Sequence, residues 1–383
     1  MTLNRSSKTI LLVVAIASFG ALYWRFAAPA RSAQVASAAP STASNARSAA
    51  PVAIQAPTPR ARLLAAEQQM SGTPDSACAM PAPTAASGVD FNDPAVQAAF
   101  MHRPDVVAID QSVHRIDGAL RSSSDPFAQA VALWLDLPRT DDESAAVPAD
   151  ERARLLATMA ASTTDPRVYA LAFRTCSRST DAACQALSAR RWSSLDPGNA
   201  VPWLFLLNDA EKAGDASGQQ EAWFHVANSA RFDEQFYSRL QPILSAANDS
   251  PDDQRATELV SVVGIGIAAA EPMNVGSLLK GCRGAALADA NRVQLCTKVA
   301  DLLFDRSDAP MTRQFGASIT HRVTGDAGRN EQVAREMTFW AANDPVAPRG
   351  CAELHAQVEF IRSLATRGAH GTYAAMAGSA ASR

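Results

Sequence analysis

From Pro94 onward, apolar residues recur at helical spacing, and short polar breaks divide them into segments. Two of these breaks, Asp125-Pro126 and Asp165-Pro166, are typical helix starts, because the carboxylate caps free N–H groups and proline has its φ already set. No segment alternates with a period of two for long, and no Asn-Gly or Asp-Gly turn links two strands. The pattern therefore predicts an all-α chain.

The same pattern places the helices along the chain. We expect one that carries Trp134 and stops at Pro138, one over about 149–161, one that carries Tyr169, and one over about 181–194. The nearly all-apolar run 259–270 predicts a buried central helix, since it is too short to span a membrane. Later helices are predicted at 278–282, 292–304, 312–323, 332–342 and 351–366.

Residues 165–230 contain an internal repeat. Tyr169 lies 34 positions before Trp203. A period of this length marks stacked helix–turn–helix units, none of which can bury its apolar face alone. Three further pairs keep the same offset, namely Ala172/Leu206, Phe173/Leu207 and Cys176/Ala210.

The later unit begins with the run Leu195-Asp196-Pro197-Gly198-Asn199-Ala200 and continues with Trp203, Leu206, Ala210 and Gly214-Asp215. In this spacing it resembles the tetratricopeptide repeat (TPR) family, in which the proline ends one repeat and the large residue at position four packs the next. Tyr169 takes the equivalent position one repeat earlier, with Thr180-Asp181 where Gly-Asp is expected. The match covers about two repeats, under a fifth of the chain. The resemblance implies a TPR-like α-solenoid, an array of antiparallel helical hairpins, and such scaffolds bind other proteins far more often than they catalyse.

The resemblance also implies a binding face, because the first helix of each TPR hairpin lines the concave side. With Trp203 and Tyr169 at position four, six side chains fall on that face, namely Arg167, Arg174, Arg178, Asn208, Glu211 and Lys212. TPR proteins that bind peptides often present Asn and basic residues there. Such a groove would take an acidic peptide or a terminal carboxylate through charge-assisted hydrogen bonds. The alternative is a solvated helix face without a ligand.

Residues 1–26 predict export. Arg5 and Lys8 precede the uncharged run Thr9–Trp24, which is slightly short for a transmembrane helix and slightly long for the apolar part of a signal peptide. We expect an uncleaved signal anchor that holds the chain in a bacterial inner membrane through residues 9–24, with the main domain in the periplasm. Cleavage after Ala28-Pro29-Ala30 would instead release a soluble periplasmic protein, and a buried helix of a soluble protein is the third alternative.

Composition divides the rest of the chain. From Ala27 to Arg60 it consists mostly of Ala, Ser, Pro and Thr, which bury too little surface to offset the entropy of ordering. We therefore predict an anchor or signal peptide at 1–26, a disordered Ala/Pro/Ser-rich linker at 27–88, a helical-repeat domain at 89–366 and a flexible tail at 367–383.

The six cysteines all lie on the exported side of the apolar run, and an even number suits an oxidising compartment. Cys176 and Cys184 flank one predicted helix–turn–helix connection, and Cys282 and Cys296 flank another. A tight hairpin of this kind can bring the two cysteines of each pair within disulfide reach. The remaining pair, Cys78 with Cys351, would tie the end of the linker to the last helix. The alternative is six buried thiols.

Composition and motifs exclude several functions. A nucleic-acid binder needs a concentrated basic face, and the formal net charge of -3 does not favour one. No Cys-x-x-Cys or His-Glu-x-x-His motif supports a metal site, no Gly-x-Ser-x-Gly elbow supports a serine nucleophile, and we predict no cofactor. The histidines are scattered along the chain, at His102, His114, His225, His321, His355 and His370.

The sequence therefore predicts a membrane-tethered periplasmic scaffold that docks another envelope protein or peptide, and no motif predicts an enzymatic activity of its own. One alternative is an enzyme with its site among the helices between Cys282 and Ala369. The other is a soluble periplasmic binder of a small molecule, released after Ala30.

Overall fold

In the computed structural model, the described residues are Cys78, 103–137, 147–271, 274–342 and 350–381. Chain contacts divide the protein into two units, one of residues 1–76 and 81–106 and one of residues 77–80 and 107–383. Apart from residues 103–106, the described residues belong to the second unit. The predicted anchor, and all of the predicted linker except Cys78, lie outside the described residues.

The described residues form fifteen α-helices and no β-strand, which confirms the all-α prediction for this part of the chain. Of these helices, none is both long and apolar enough to span a membrane. In chain order they are α1 (Pro104–Ser122), α2 (Pro126–Leu135), α3 (Ala149–Ser162), α4 (Pro166–Thr175), α5 (Ala182–Gln185), α6 (Ala189–Leu195), α7 (Val201–Ala213), α8 (Ala216–Asn228), α9 (Leu240–Ala246), α10 (Pro251–Ala269), α11 (Gly276–Gly281), α12 (Ala290–Asp305), α13 (Pro310–Thr324), α14 (Gly328–Ala342) and α15 (Cys351–Ala381).

Aspartate side chains start α2 and α4 at the positions that the sequence predicts. Asp125 accepts a hydrogen bond from the Phe127 N–H at 2.9 Å, and Asp165 accepts one from the Arg167 N–H at 2.8 Å. A proline follows each aspartate as the first helical residue. An N-terminal cap of this kind contributes about 1 kcal/mol, so the two local signals suffice to set these helix starts.

The chain turns tightly between α7 and α8. Gly214 ends α7 with a φ of 67°, a left-handed conformation that glycine adopts without steric cost. The N–H groups of Gly214 and Asp215 then donate to the carbonyls of Glu211 and Ala210 at 3.2 and 2.9 Å. These bonds satisfy carbonyl groups at the end of α7 and bring α8 back to pack on it.

The segment 181–194, predicted as one helix, forms two. α5 ends at Gln185, and α6 begins after Ser188, whose hydroxyl accepts a hydrogen bond from the Arg191 N–H at 3.2 Å. The Ser188 N–H donates to the Tyr169 hydroxyl at 3.0 Å. These bonds pair the Ser188 N–H outside a helix and cap the start of α6, so the helix is interrupted at Ser188.

The helix contacts of the second unit close into a circuit. α2 packs on α4, and the contacts continue through α6, α7, α8, α12, α13 and α14 to α15. α15 packs on both α9 and α10, and these two helices also pack on α2. The array therefore closes on itself, because the segment that carries α9 and α10 lies between its two ends.

The loop after α8 lies between two other interhelix loops. Ala200 N–H donates to Arg231 O at 3.0 Å, and Phe232 N–H donates to Arg306 O at 3.2 Å. Phe232 is 1% exposed, so this crossing belongs to the core. It brings the residues that follow Phe232 next to the loop before α13, where Ser307 forms an isolated bridge with Phe232.

The region predicted as a flexible tail from Arg367 is helical as far as Ala381, so this prediction is corrected where the structure describes it. α15 kinks at Gly368, whose φ is 66°, and the Ala369 N–H donates to the Asp308 carbonyl at 3.1 Å. Ala369 and Thr372 are each 1% exposed. The small residues of this region let the helix approach the loop before α13, and alanine favours helix.

Three disulfides join the six cysteines, in the two pairs that the spacing predicts and in the pair that remained. They are Cys78–Cys351, Cys176–Cys184 and Cys282–Cys296, with Cα separations of 4.7, 5.1 and 5.7 Å.

Candidate functional site

Aromatic contacts place α4 beside α7. The rings of Phe173 in α4 and Phe205 in α7 have centroids 5.0 Å apart in an edge-to-face arrangement. Trp192 of α6 lies against both, at 5.6 and 5.9 Å. The predicted binding residues lie on these two neighbouring helices, except for Arg178 in the 3₁₀ turn directly after α4.

Two arginines hold the carboxylate of Glu271, which follows α10. Arg174 Nη1 lies 3.1 Å from one oxygen, and Arg239 reaches both oxygens at 2.5 and 2.9 Å. The two guanidinium groups also lie over the rings of Trp192 and Trp134, at 5.8 and 4.7 Å from the centroids. Burial alone would raise the pKa of Glu271, but the charges and hydrogen bonds of Arg239 and Arg174 outweigh burial and lower it. The carboxylate is therefore the stable form.

Residues 274–280, which come shortly after Glu271 in the chain, contact α7. Asn208 Nδ2 donates to the backbone carbonyl of Asn274 at 3.3 Å. The Ser277 hydroxyl lies within hydrogen-bond distance of both Asn208 Oδ1 and Glu211 Oε2, and the Lys280 ammonium pairs with Glu211. The hydrogen bonds from Lys280 and Ser277 lower the pKa of Glu211. Three predicted binding residues, Arg174, Asn208 and Glu211, thus contact one stretch of the chain, the 271–280 segment, of which Glu271 and residues 274–280 are described.

The other predicted binding residues do not join this contact. Arg167 pairs with Asp165 at 2.7 Å, and its guanidinium lies 4.5 Å from the ring centroid of Phe127. Arg178 is exposed. The Lys212 side chain is 80% exposed and lies 3.6 Å from Asp209. Arg178 and Lys212 are therefore accessible on the surface, whereas the Arg174 side chain is only 10% exposed in its ion pair with Glu271.

Sequence reasoning did not identify Arg239, Glu271 or Ser277 as site residues. Glu271 is 97 positions from Arg174 and 32 from Arg239, so no repeat register connects them. The available signal was the charged residue at the end of an apolar helix, since a carboxylate in such a place needs a cationic partner. That signal identifies the need for a partner and does not identify the partner.

A second polar cluster lies where the loop after α8 meets the loop before α13. Burial raises the pKa of Asp308 to about 7, and the negative charges of Asp233 and Glu234 contribute to the rise. Thr312 donates to Glu234 at 2.7 Å, whereas no donor in the described part of the chain reaches Asp308 Oδ1. Gln235, with a φ of 57°, also has a buried oxygen without a donor. The Asp308 carboxyl group therefore changes its protonation state near neutral pH.

A shallow pocket of about 420 Å³ lies among α3, α4, α5 and α6. The Tyr169 hydroxyl at this pocket is engaged by Ser188, and Arg191 is exposed without an ion pair among the described residues. The rest of the pocket lining is Thr158 and five apolar residues, namely Ala157, Ala161, Ala183, Ala186 and Leu187. Asp308 and the residues around Glu271 do not line it.

Within the described ranges, no group of three or more His, Cys, Asp or Glu side chains is placed to hold a metal ion. No protein-family model, curated protein or solved structure matches this chain. The described residues define an all-α domain with three disulfides, and its function is argued from its own contacts.

Proposed function

We propose that this chain is a membrane-tethered periplasmic scaffold of TPR-like hairpins that docks another envelope protein or peptide on the face formed by α4 and α7. The supporting observation is that Arg174, Asn208 and Glu211, which the repeat register assigns to this face, contact a peptide segment of the chain itself. Arginine bound to a carboxylate and asparagine bound to a backbone carbonyl are contacts that another peptide can also make.

The disulfides support the compartment in this proposal. Disulfides persist in secreted and periplasmic proteins and are rare in the reducing cytosol. With all six cysteines paired, an oxidising compartment is the one in which this domain retains its covalent structure. The apolar run 9–24 would supply the tether and residues 27–88 the spacing from the membrane.

The accessible cations of the face provide the test. We expect crosslinking of the full-length protein in living cells, followed by mass spectrometry, to recover one recurrent envelope partner. The double variant Arg178→Glu/Lys212→Glu should lose that partner, because both side chains are exposed on or beside the proposed face. Arg174 is unsuitable for reversal, since a glutamate there would face the carboxylate of Glu271, whose side chain is only 16% exposed.

The matched control is Lys298→Glu/Arg335→Glu, which reverses two exposed cations on α12 and α14 and should retain the partner. Equal loss in both double variants would show a dependence on net charge and would contradict a site on α4 and α7. Recovery of no partner, under conditions that capture a known envelope complex, would overturn the scaffold itself. The size of the protein in membrane and soluble fractions separates a tethered scaffold from a released small-molecule binder.

An enzyme with its site among the C-terminal helices is the second candidate, and Asp308 is the observation that favours it. A carboxyl group with a pKa near 7 and an oxygen without a donor is suited to proton transfer. If the site admits small molecules, a carboxyl-selective reagent at pH 6 should modify Asp308 before the arginine-paired Glu336. Absence of modification in the folded protein would oppose the enzyme.

A further inference from the structure

The 271–280 segment contacts the α4–α7 face in the way a bound peptide would. Glu271 supplies a carboxylate to Arg174, and the Asn274 carbonyl accepts from Asn208. Val275 and Leu278 are 4% and 0% exposed. The segment thus presents one acidic and two buried apolar side chains, which are the kinds of side chain by which peptides are held in grooves.

The segment has little helical stability of its own. α11 has only 6 residues, and Val275 at its N-terminal cap position provides no side-chain cap. Isolated helices of fewer than ~12 residues are marginal in water, so α11 depends on its contacts with the rest of the domain. The ion pair of Lys280 with Glu211 adds little, because the Lys280 side chain is 67% exposed.

The chain on either side would keep the segment close to the face if the segment opened. α10 ends at Ala269, and the Cys282–Cys296 disulfide fixes the other end of the segment to α12. A segment held at both ends competes with an effective concentration on the order of millimolar. A free peptide of similar chemistry would therefore bind the intact protein with an affinity reduced by the fraction of molecules in which the face is open.

The geometry points to the 271–280 segment as an internal competitor for the α4–α7 face, so that the isolated protein holds this face closed against its partner. This inference rests on the proposed function and adds its regulation. The partner would present an acidic residue that replaces Glu271 between Arg174 and Arg239, followed by apolar residues at the spacing of Val275 and Leu278. The alternative is a segment that belongs permanently to the fold.

The test uses the full chain with its disulfides intact and a fluorescent peptide with the sequence of residues 271–280 as the probe. Glu271→Gln removes the charge between the two arginines, and Ser277→Ala removes the contact with Asn208 and Glu211. We expect the double variant to bind the probe roughly tenfold or more tightly than the wild-type protein, because its own segment competes less.

Two controls accompany the measurement. Glu221→Gln breaks the exposed ion pair with Arg190 and should leave the affinity for the probe at the wild-type level. A probe with glutamine in place of its glutamate should bind weakly to every protein. Equal affinity of the wild-type and double-variant proteins for the probe, or no binding by a folded double variant, would overturn the inference.

Hydrogen exchange of the wild-type protein keeps the inference testable if the double variant does not fold. The Leu279 and Cys282 amides, bonded within α11 to Val275 and Leu278 at 3.0 Å each, should exchange markedly faster than the Leu204 amide of α7. Equal protection would show that the segment opens only with the whole domain and would overturn the inference.

The cell experiment separates failure of the competitor from failure of the scaffold. If the scaffold is right, the envelope partner is recovered by the wild-type protein. If the competitor is also right, Glu271→Gln recovers more of that partner than the wild-type protein does. A partner recovered equally by both proteins leaves the scaffold and overturns the competitor. Recovery of no partner overturns the scaffold, and the competitor falls with it, whatever the probe peptide does.

Discussion

Asp308 makes the stability of this domain depend on pH in an unusual direction. Its folded-state pKa of about 7 lies above the value of about 4 expected in the unfolded chain. The folded state therefore binds the proton more tightly, and this stabilisation is complete below about pH 4 and is lost as the pH rises through about 7. Glu258 in α10, whose pKa burial also raises to about 7, acts in the same direction.

We expect the free energy of unfolding to fall between pH 6 and pH 8, by at most about 1.4 kcal/mol per pH unit for each such group. Glu271, Asp253 and Glu336 have lowered pKa values and act oppositely, since their stabilisation is present above about pH 4.5 and is lost in acid. Urea unfolding at several pH values measures the balance.

Asp308→Asn provides the matched variant. It removes the buried charge next to Asp233 and Glu234, so it should stabilise the protein by about 1–3 kcal/mol at pH 8 and have less effect at pH 5. An effect of the same size at both pH values would show that the charge of Asp308 does not set the pH dependence.

α12 and α13 approach closely at Gly316. A Cβ atom built there would lie 2.7 Å from the Phe304 nitrogen and 2.8 Å from the Ala300 carbonyl oxygen. Because both are backbone atoms, the helices would have to separate, and Gly316→Ala should destabilise the domain by about 1–3 kcal/mol. Gly118→Ala in α1, which meets nothing within 4 Å, should instead stabilise it by about 0.5–1 kcal/mol. Urea unfolding compares the two, and a similar sign for both would contradict the close approach.

The helices were predictable where their signals are local. Asp125-Pro126 and Asp165-Pro166 each carry a cap and a fixed φ within two residues, and the structure begins α2 and α4 there. The break at Ser188 was not predictable, because it involves the Tyr169 hydroxyl of α4, nineteen positions earlier. Likewise, the composition of the chain after Arg367 predicts a flexible backbone. It does not reveal that this region packs on the loop before α13.

The candidate site shows the same limit. A repeat register could select Arg174, Asn208 and Glu211, because it needs only the spacing within two adjacent units. Their contacts with the 271–280 segment depend on the closure of the whole circuit of helices, which no local pattern encodes. The environment of Asp308 depends on Asp233 and Glu234, which belong to a loop more than seventy positions earlier.

The contribution of each disulfide to the stability of the whole domain should increase with the length of the chain that it closes. Their sequence separations are 273, 14 and 8, for Cys78–Cys351, Cys282–Cys296 and Cys176–Cys184. The chain-entropy model then gives losses of about 5.5, about 3 and about 2.5 kcal/mol when each pair is changed to serine. Urea unfolding of the three double variants checks this order, and a largest loss at Cys176–Cys184 would contradict it.

The Cys78–Cys351 bond also determines how this domain bears a mechanical load. Tension applied to the chain before Cys78 passes through the sulfur atoms directly to the first residue of α15. If the opposing pull acts on the chain after Cys351, residues 79–350 form a covalent loop that carries none of it. A pull between the N-terminal region and the C-terminus would therefore strain α15 while the α4–α7 face stays unloaded, until a reductant opens the bond.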